Sequence, residues 1–281
     1  MITLPKKLLV MEGYNPAGIT SLAQAGATQA AILYKRMLSL YVDGAQIEIA
    51  EISGDEAPNI DIHKYGGVCW TGSNLFFSAA DNVVQRHIDR CREFFAAGIP
   101  QIGSCWGAQL AAVAAGGKCE LNPKGREFGI ARKILLNDAG KNHPMFAGKR
   151  SVFDGLVSHA DIVTELPASA TLLAGNIFAP VQALDVRLGQ GSFWAFQYHP
   201  EYDLSEIAAL ALVRQDGLIE QGSFKDRAAV QEFVKDMNDL QQDISRSDLM
   251  WKWGIDEDLL DEQYRTLEIK NWLTHFFAER E

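Results

Sequence analysis

The chain has 281 residues, 47% hydrophobic and 22% charged, which supplies enough apolar material for a proper core and excludes a disordered chain. Its 36 acidic and 26 basic residues leave a net charge of −10, which argues against a sequence-independent grip on nucleic acid or anionic lipid and leaves small molecules or proteins as partners. It lacks an apolar run long enough to span a bilayer, and the four apolar residues before Glu12 are too few for a secretory segment, so a cytoplasmic protein is expected.

In chain order, short apolar or β-branched runs at 7–11, 46–52, 67–70 and 100–103 alternate with amphipathic stretches at 20–40, 81–97 and 107–115. Strands buried on both faces read as continuous apolar runs and are joined by right-handed helical crossovers. The rhythm therefore predicts an α/β fold with a mostly parallel central sheet and helices on both faces. Between Glu127 and His199 the pattern changes to shorter strand runs at 130–136, 161–165, 171–174, 181–186 and 193–198. After Pro200 it is helical at 204–220, 225–243 and 256–279, where Leu259, Leu260, Tyr264, Leu267, Trp272, Leu273 and Phe276 form an apolar stripe.

Charge divides the chain in the same place. Residues 1–202 hold 18 acids and 17 bases, whereas residues 203–281 hold 18 and 9. The expected organisation is one domain over 1–220 and an acidic helical extension over 221–281 packed on or beside it. Trp251, Trp253 and Trp272 suit either an added helical layer or an interface with a second protein or protomer.

Cys69, Cys91, Cys105 and Cys119 lack zinc-type spacing and are expected to be free thiols. Cys105 lies in Gln101-Ile-Gly-Ser-Cys-Trp-Gly-Ala-Gln-Leu110, where an apolar strand runs straight into a small-residue helix. Glycines two residues to either side permit a sharp strand-to-helix turn, and a helix N-terminus favours thiolate, so Cys105 is the candidate nucleophile. His199, in Phe196-Gln-Tyr-His-Pro-Glu-Tyr202, is the candidate base, and Glu201 can accept its other N–H and fix the tautomer. His63, His87, His143 and His275 lack such context and read as surface or turn residues, with His159 intermediate. The turn Cys69-Trp-Thr-Gly-Ser-Asn74 can aim backbone amides at an oxyanion together with the amide of Trp106. Arg126 and Arg132 can meet an anionic substrate group, against the commoner reading of exposed, salt-bridged arginines.

The motifs Gly103-Ser-Cys105-Trp-Gly107-Ala-Gln109 and His199-Pro200-Glu201 resemble, in order and spacing, those of the class I glutamine amidotransferase family. Gly125-Arg-Glu127-Phe-Gly129 resembles its G-x-E-x-G segment, and Ser158-His159-Ala160-Asp161 the S-H-G-D turn of the amidotransferase domain of GMP synthase. The resemblance covers residues 5 to about 220. It implies a flavodoxin-like three-layer fold and a triad of Cys105, His199 and Glu201 that attacks a γ-carboxamide, forms a γ-glutamyl thioester and releases glutamate, without metal or organic cofactor. It further implies an oxyanion hole from Gly72 or Ser73 and Trp106, and substrate contacts from Gln109, Glu127, His159 and Asp161.

Two departures bear on function. The family's S-G-G-P or S-N-G-P loop reads Thr71-Gly72-Ser73-Asn74 here, and the chain carries no P-loop or pyrophosphatase motif of a synthetase. Three functions follow: a stand-alone γ-glutamyl hydrolase, a glutaminase subunit that passes ammonia to a separate synthetase, or a non-catalytic binding or regulatory member. The C-terminal helices are the place where a synthetase or a second copy would dock.

Overall fold

The computed structural model describes residues 1–54, 58–77 and 81–278. The first half alternates as expected: β1 (Lys7–Glu12), α1 (Pro16–Gln24), α2 (Ala30–Ser39), β2 (Ile47–Glu51), β3 (Tyr65–Trp70), α3 (Asn82–Ala96), β4 (Gln101–Ser104) and α4 (Trp106–Ala114). The stretch read as one helix over 20–40 is two. The Asn15 side chain caps α1 by accepting from the Gly18 amide, and Gly26, at φ +75°, turns the chain before α2.

A strand-rich segment follows: β5 (Lys118–Leu121), β6 (Glu127–Leu136), the short α5 (Asp138–Asn142), β7 (Val152–His159), β8 (Asp161–Glu165), β9 (Ala170–Gly175), β10 (Ala183–Leu188) and β11 (Gly191–Phe196). The sequence reading did not include β5 and β7. The helical remainder is α6 (Leu204–Val213), α7 (Gln215–Glu220), α8 (Arg227–Gln242), α9 (Ser247–Trp253), α10 (Glu257–Leu260), α11 (Glu262–Arg265) and α12 (Leu267–Phe277). The helix read over 256–279 is thus three pieces, and residue 279 lies outside the described residues. Asp203, Asp226, Asp256 and Asp261 cap α6, α8, α10 and α11 by accepting first-turn amides, a structural use for part of the tail's acidity.

Nine strands form one sheet in the order β2-β1-β3-β4-β11-β10-β9-β6-β7, and β5 pairs with β8 separately. From β2 to β11 every pairing is parallel, and from β11 to β7 every pairing is antiparallel. The parallel half is covered on both faces, as its continuous apolar strands require. Leu8, Val10, Cys69, Trp194 and Phe196 pack in one cluster with Tyr34 and Met37 of α2 and with Ile269, Trp272 and Leu273 of α12. Leu9, Met11, Trp70 and Phe193 pack in another with Phe94 of α3 and Leu110 of α4. A third core joins Tyr14 and Tyr202 to α6, α8 and α9 through residues such as Ile207, Phe233 and Leu249. Each large apolar side chain buried in this way contributes about 1.5–3 kcal/mol.

His87 corrects the sequence reading. It is fully buried on α3, its ring lies against Trp70 and edge-on to Trp106, and its Nδ1 is 2.9 Å from the Val83 carbonyl oxygen. Among the described residues no helix is long and apolar enough to cross a membrane.

Candidate active site

The strand order brings the two motifs together. β4 and β11 are parallel neighbours, with Gly103 opposite Ala195 and Ser104 opposite Phe196, so their carboxyl ends deliver Cys105 and residues 197–201 to the same edge. Parallel strand ends at the centre of such a sheet are where ligands bind. The Cys105 amide donates to the Phe196 carbonyl at 2.8 Å and locks the two ends.

Cys105 has φ 52° and ψ −107°, a left-handed conformation that L side chains rarely adopt, and it occupies the N-cap position of α4. The flanking glycines make this turn possible for a specific reason. A Cβ on Gly103 would lie 2.9 Å from the Trp70 carbonyl oxygen and one on Gly107 2.7 Å from the same atom, so the Trp70 backbone packs into both gaps. The thiol lies 3.9 Å from the Ser158 carbonyl oxygen.

His199 is buried, and its Nδ1 lies 2.7 Å from Glu201 Oε1, which also accepts from Ser104 Oγ at 2.8 Å. Ser104 Oγ accepts in turn from Tyr34 OH at 2.7 Å, so a buried relay fixes the carboxylate that meets His199. Among the described residues His199 Nε2 has no hydrogen-bond partner, and the ring stacks on Tyr202 at 3.9 Å and 4°. Burial alone would depress the imidazole, but the Glu201 carboxylate and the Cys105 thiol outweigh it and push it up to about 9.

A cavity of about 170 Å³ opens over Cys105, with Ser73, Trp106, Gln109, His159 and Asp161 in its lining. Trp106 is the first residue of α4, so its amide has no intrahelical acceptor and is available to an oxyanion. Gly72 lies beside the dyad, since a Cβ there would stand 3.0 Å from His199 Cε1. Its loop is fastened: Ser73 Oγ donates to the Gly13 carbonyl at 2.7 Å and accepts from the Leu75 amide at 2.9 Å.

Gln109 Nε2 donates to the Asp161 carbonyl at 2.9 Å, which ties the elbow helix to the turn between β7 and β8. Glu127 is buried and is not in the cavity lining. Its carboxylate accepts from Asn176 Nδ2 and Gln182 Nε2 and lies 2.9 Å from His159 Nε2, so it braces His159 from behind. Ser158 Oγ and Asp161 Oδ1 are buried without partners on residues that line the cavity, and burial holds the Asp161 carboxyl above its ordinary value.

Arg126 and Arg214 also line this cavity. Arg132 is not in this lining and instead bonds Asp154 at 2.8 Å and the carbonyls of Trp253 and Gly254. Sequence reasoning missed Arg214, which ends α6 beyond every motif. It also missed the support for the base motif from the C-terminal helices. Arg265 donates to the Pro200 carbonyl at 3.2 Å, and Tyr198 OH donates to the buried Glu268 carboxylate at 2.6 Å, which is ion-paired with Lys149.

The strained Cys105 and the buried His199–Glu201 pair thus stand at one edge of the sheet, and residues 39–214 match the family model described as glutamine amidotransferase class-I. The chain belongs to that family of enzymes. It is 31% identical to the gamma-glutamyl-L-1-hydroxyisopropylamide hydrolase of a Pseudomonas species over 96% of this chain and 92% of that one. It is 37% identical to the glutamine-hydrolyzing GMP synthase of Azoarcus sp. (strain BH72) over 50% of this chain but only 26% of that larger protein. The fold matches a glutamine amidotransferase structure from Methylobacillus flagellatus at TM-score 0.67 and 15% identity, over 99% of this chain and 98% of that one. It also matches one from Thermotoga maritima at TM-score 0.64 and 13% identity, over 98% and 99%.

Proposed function

We propose that the chain is a stand-alone γ-glutamyl amide hydrolase with Cys105 as nucleophile, His199 as base and acid, and Glu201 as the group that orients His199. The observation that carries the reading is the left-handed Cys105 beside the 2.7 Å His199–Glu201 contact, at the floor of a cavity with unpaired polar oxygens in its walls. The Cys105 thiolate attacks the γ-carbonyl carbon, and the developing oxyanion takes the Trp106 amide and an amide of the Gly72–Ser73 loop. Collapse breaks the C–N bond as protonated His199 gives its proton to the departing amine, leaving a γ-glutamyl thioester. Water then attacks, His199 accepts its proton, and glutamate and the thiol are released. Ser158 Oγ and Asp161 are suited to the substrate's α-ammonium group, with Gln109 and His159 shaping that wall and Glu127 bracing it.

The similarity to the Pseudomonas hydrolase over nearly the whole chain supports a small γ-glutamyl amide as substrate. The GMP synthase relatives favour a second reading, in which glutamine is hydrolysed and ammonia passes to a separate synthetase. Four buried, unpaired thiols fit a cytoplasmic enzyme. The deciding experiment is glutamate release by the purified chain from γ-L-glutamyl-L-1-hydroxyisopropylamide and from L-glutamine, with Cys105→Ala as the blank. Rapid Cys105-dependent release from the amide is expected. Release from glutamine alone, and only with a synthetase added, would replace the first reading by the second.

A further inference from the structure

We propose that Arg126 and Arg214 form a carboxylate-binding subsite on the leaving-group side of Cys105, so that the preferred substrate is a γ-glutamyl α-amino acid rather than a γ-glutamyl amide of a neutral amine. The inference deepens the hydrolase reading above and rests on it.

Both guanidiniums line the catalytic cavity, yet among the described residues neither has a carboxylate within ion-pairing distance. The hydrogen bond found for Arg214 goes from Nη2 to Tyr14 OH at 3.2 Å, its Nη1 is buried without an acceptor, and none is found for the Arg126 side chain. Several other arginines do find such partners: Arg132 pairs with Asp154, Arg150 with Glu257, Arg187 with Asp185, Arg227 with Asp216 and Arg246 with Asp248, while Arg86 and Arg265 donate to backbone carbonyls. Two like charges in one half-buried pocket disfavour each other. Burial first and Arg214 second pull the Arg126 guanidinium below its ordinary value. An anion arriving with the substrate relieves that repulsion.

Position selects which anion. Arg214 ends α6 and is electrostatically coupled to Tyr14 and Tyr202, and the Tyr202 ring lies flat on His199, the group that hands a proton to the departing amine. The unpaired oxygens suited to the α-ammonium belong to Ser158 and Asp161 at the turn between β7 and β8, and Arg126 is close enough to feel the Asp161 carboxylate. Both arginines also line an adjoining groove of about 250 Å³ along α6 and α7, so they stand where the cavity continues outward. A carboxylate on the carbon attached to the leaving nitrogen reaches that position, and a guanidinium fork matches it in shape and charge.

The test compares γ-L-glutamyl-L-alanine with γ-L-glutamyl-L-1-hydroxyisopropylamide, which differ only in a carboxylate against a hydroxymethyl group. Wild-type enzyme is expected to favour the dipeptide by about 10- to 100-fold in kcat/KM, mainly through KM. Arg126→Gln and Arg214→Gln are expected to bring that ratio towards one, and the Lys variants, which keep the charge without the fork, to fall between. Equal rates on the two compounds in wild type, or variants that lower both rates by the same factor, overturn the proposal and assign the arginines to the α-carboxylate or the thiolate. If folded wild type releases glutamate from neither, titration calorimetry on Cys105→Ser separates the two readings. Dipeptide-selective binding that Arg214→Gln removes keeps the subsite while the hydrolase reading fails, and no binding of either compound ends both.

Discussion

The residues proposed to do chemistry are held by fixed neighbours, so their substitutions separate by kind. Cys105→Ala is expected to abolish glutamate release while leaving the fold near normal. Glu201→Gln is expected to lower kcat by about 10²–10⁴-fold with little change in substrate binding, because the imidazole loses its orientation and not its presence; stopped-flow or steady-state kinetics with a binding titration checks both. The raised His199 also has a pH signature. Its folded value near 9 exceeds the ordinary 6.5, so the protonated ring stabilises the fold fully below about pH 6.5, and that contribution is lost as pH climbs towards 9. Urea unfolding at pH 6.5 and 9.5 is expected to show a fall of at most about 3 kcal/mol that His199→Gln lacks. The elbow and base motifs were legible because each compresses its chemistry into a few adjacent residues. Arg126 was legible only as one of a pair with Arg132, whereas Arg214, 88 positions further on, carried no signal because only the fold makes it a neighbour of Arg126.

At the scale of elements, glycine shows how packing overrides propensity. Gly→Ala in a helix ordinarily stabilises by about 0.5–1 kcal/mol. Gly217 of α7 has open space where a methyl would go, so Gly217→Ala is expected to raise the melting temperature. Gly107 of α4 meets the Trp70 carbonyl at 2.7 Å, and the clash outweighs the helix gain, so Gly107→Ala is expected to destabilise by about 1–2 kcal/mol and to disturb the elbow. Thermal melts of the two variants moving in opposite directions check the pair. The parallel strands and α3 were visible in the sequence because their apolar periods are long and clean. The break at Gly26, strand β7 with its three buried polar groups Asp154, Ser158 and His159, and the short helix α9 were not, since each depends on tertiary partners: Asp154, for example, is held by Arg132 and by the Lys133 amide.

For the whole molecule, the tail is the informative region. Its acidity and length suggested a helical extension packed on or beside the domain, and Ile269, Trp272 and Leu273 share a cluster with strands β1, β3 and β11 at the middle of the sheet. Trp272→Ala is expected to cost about 3–5 kcal/mol, and Glu268→Ala a similar amount because Lys149 would remain buried without its carboxylate. Ending the chain after Asp261 removes both features, and the product is expected to be insoluble or to lack a cooperative melt, read by expression in the soluble fraction and circular dichroism. Trp251, by contrast, is 88% exposed on α9 and has no such role.

The grip of Arg265 on Pro200 and of Glu268 on Tyr198 also sets an order of events during synthesis. A chain still emerging from the ribosome already contains the nucleophile, the base and its carboxylate once residue 201 is out. Both flanks of His199 are anchored by a segment made more than sixty residues later, so the nascent protein carries the candidate nucleophile before its candidate base is held in place. On the proposed mechanism, hydrolysis is expected only once α11 and α12 have closed over the sheet, which would couple the onset of activity to the completion of the fold.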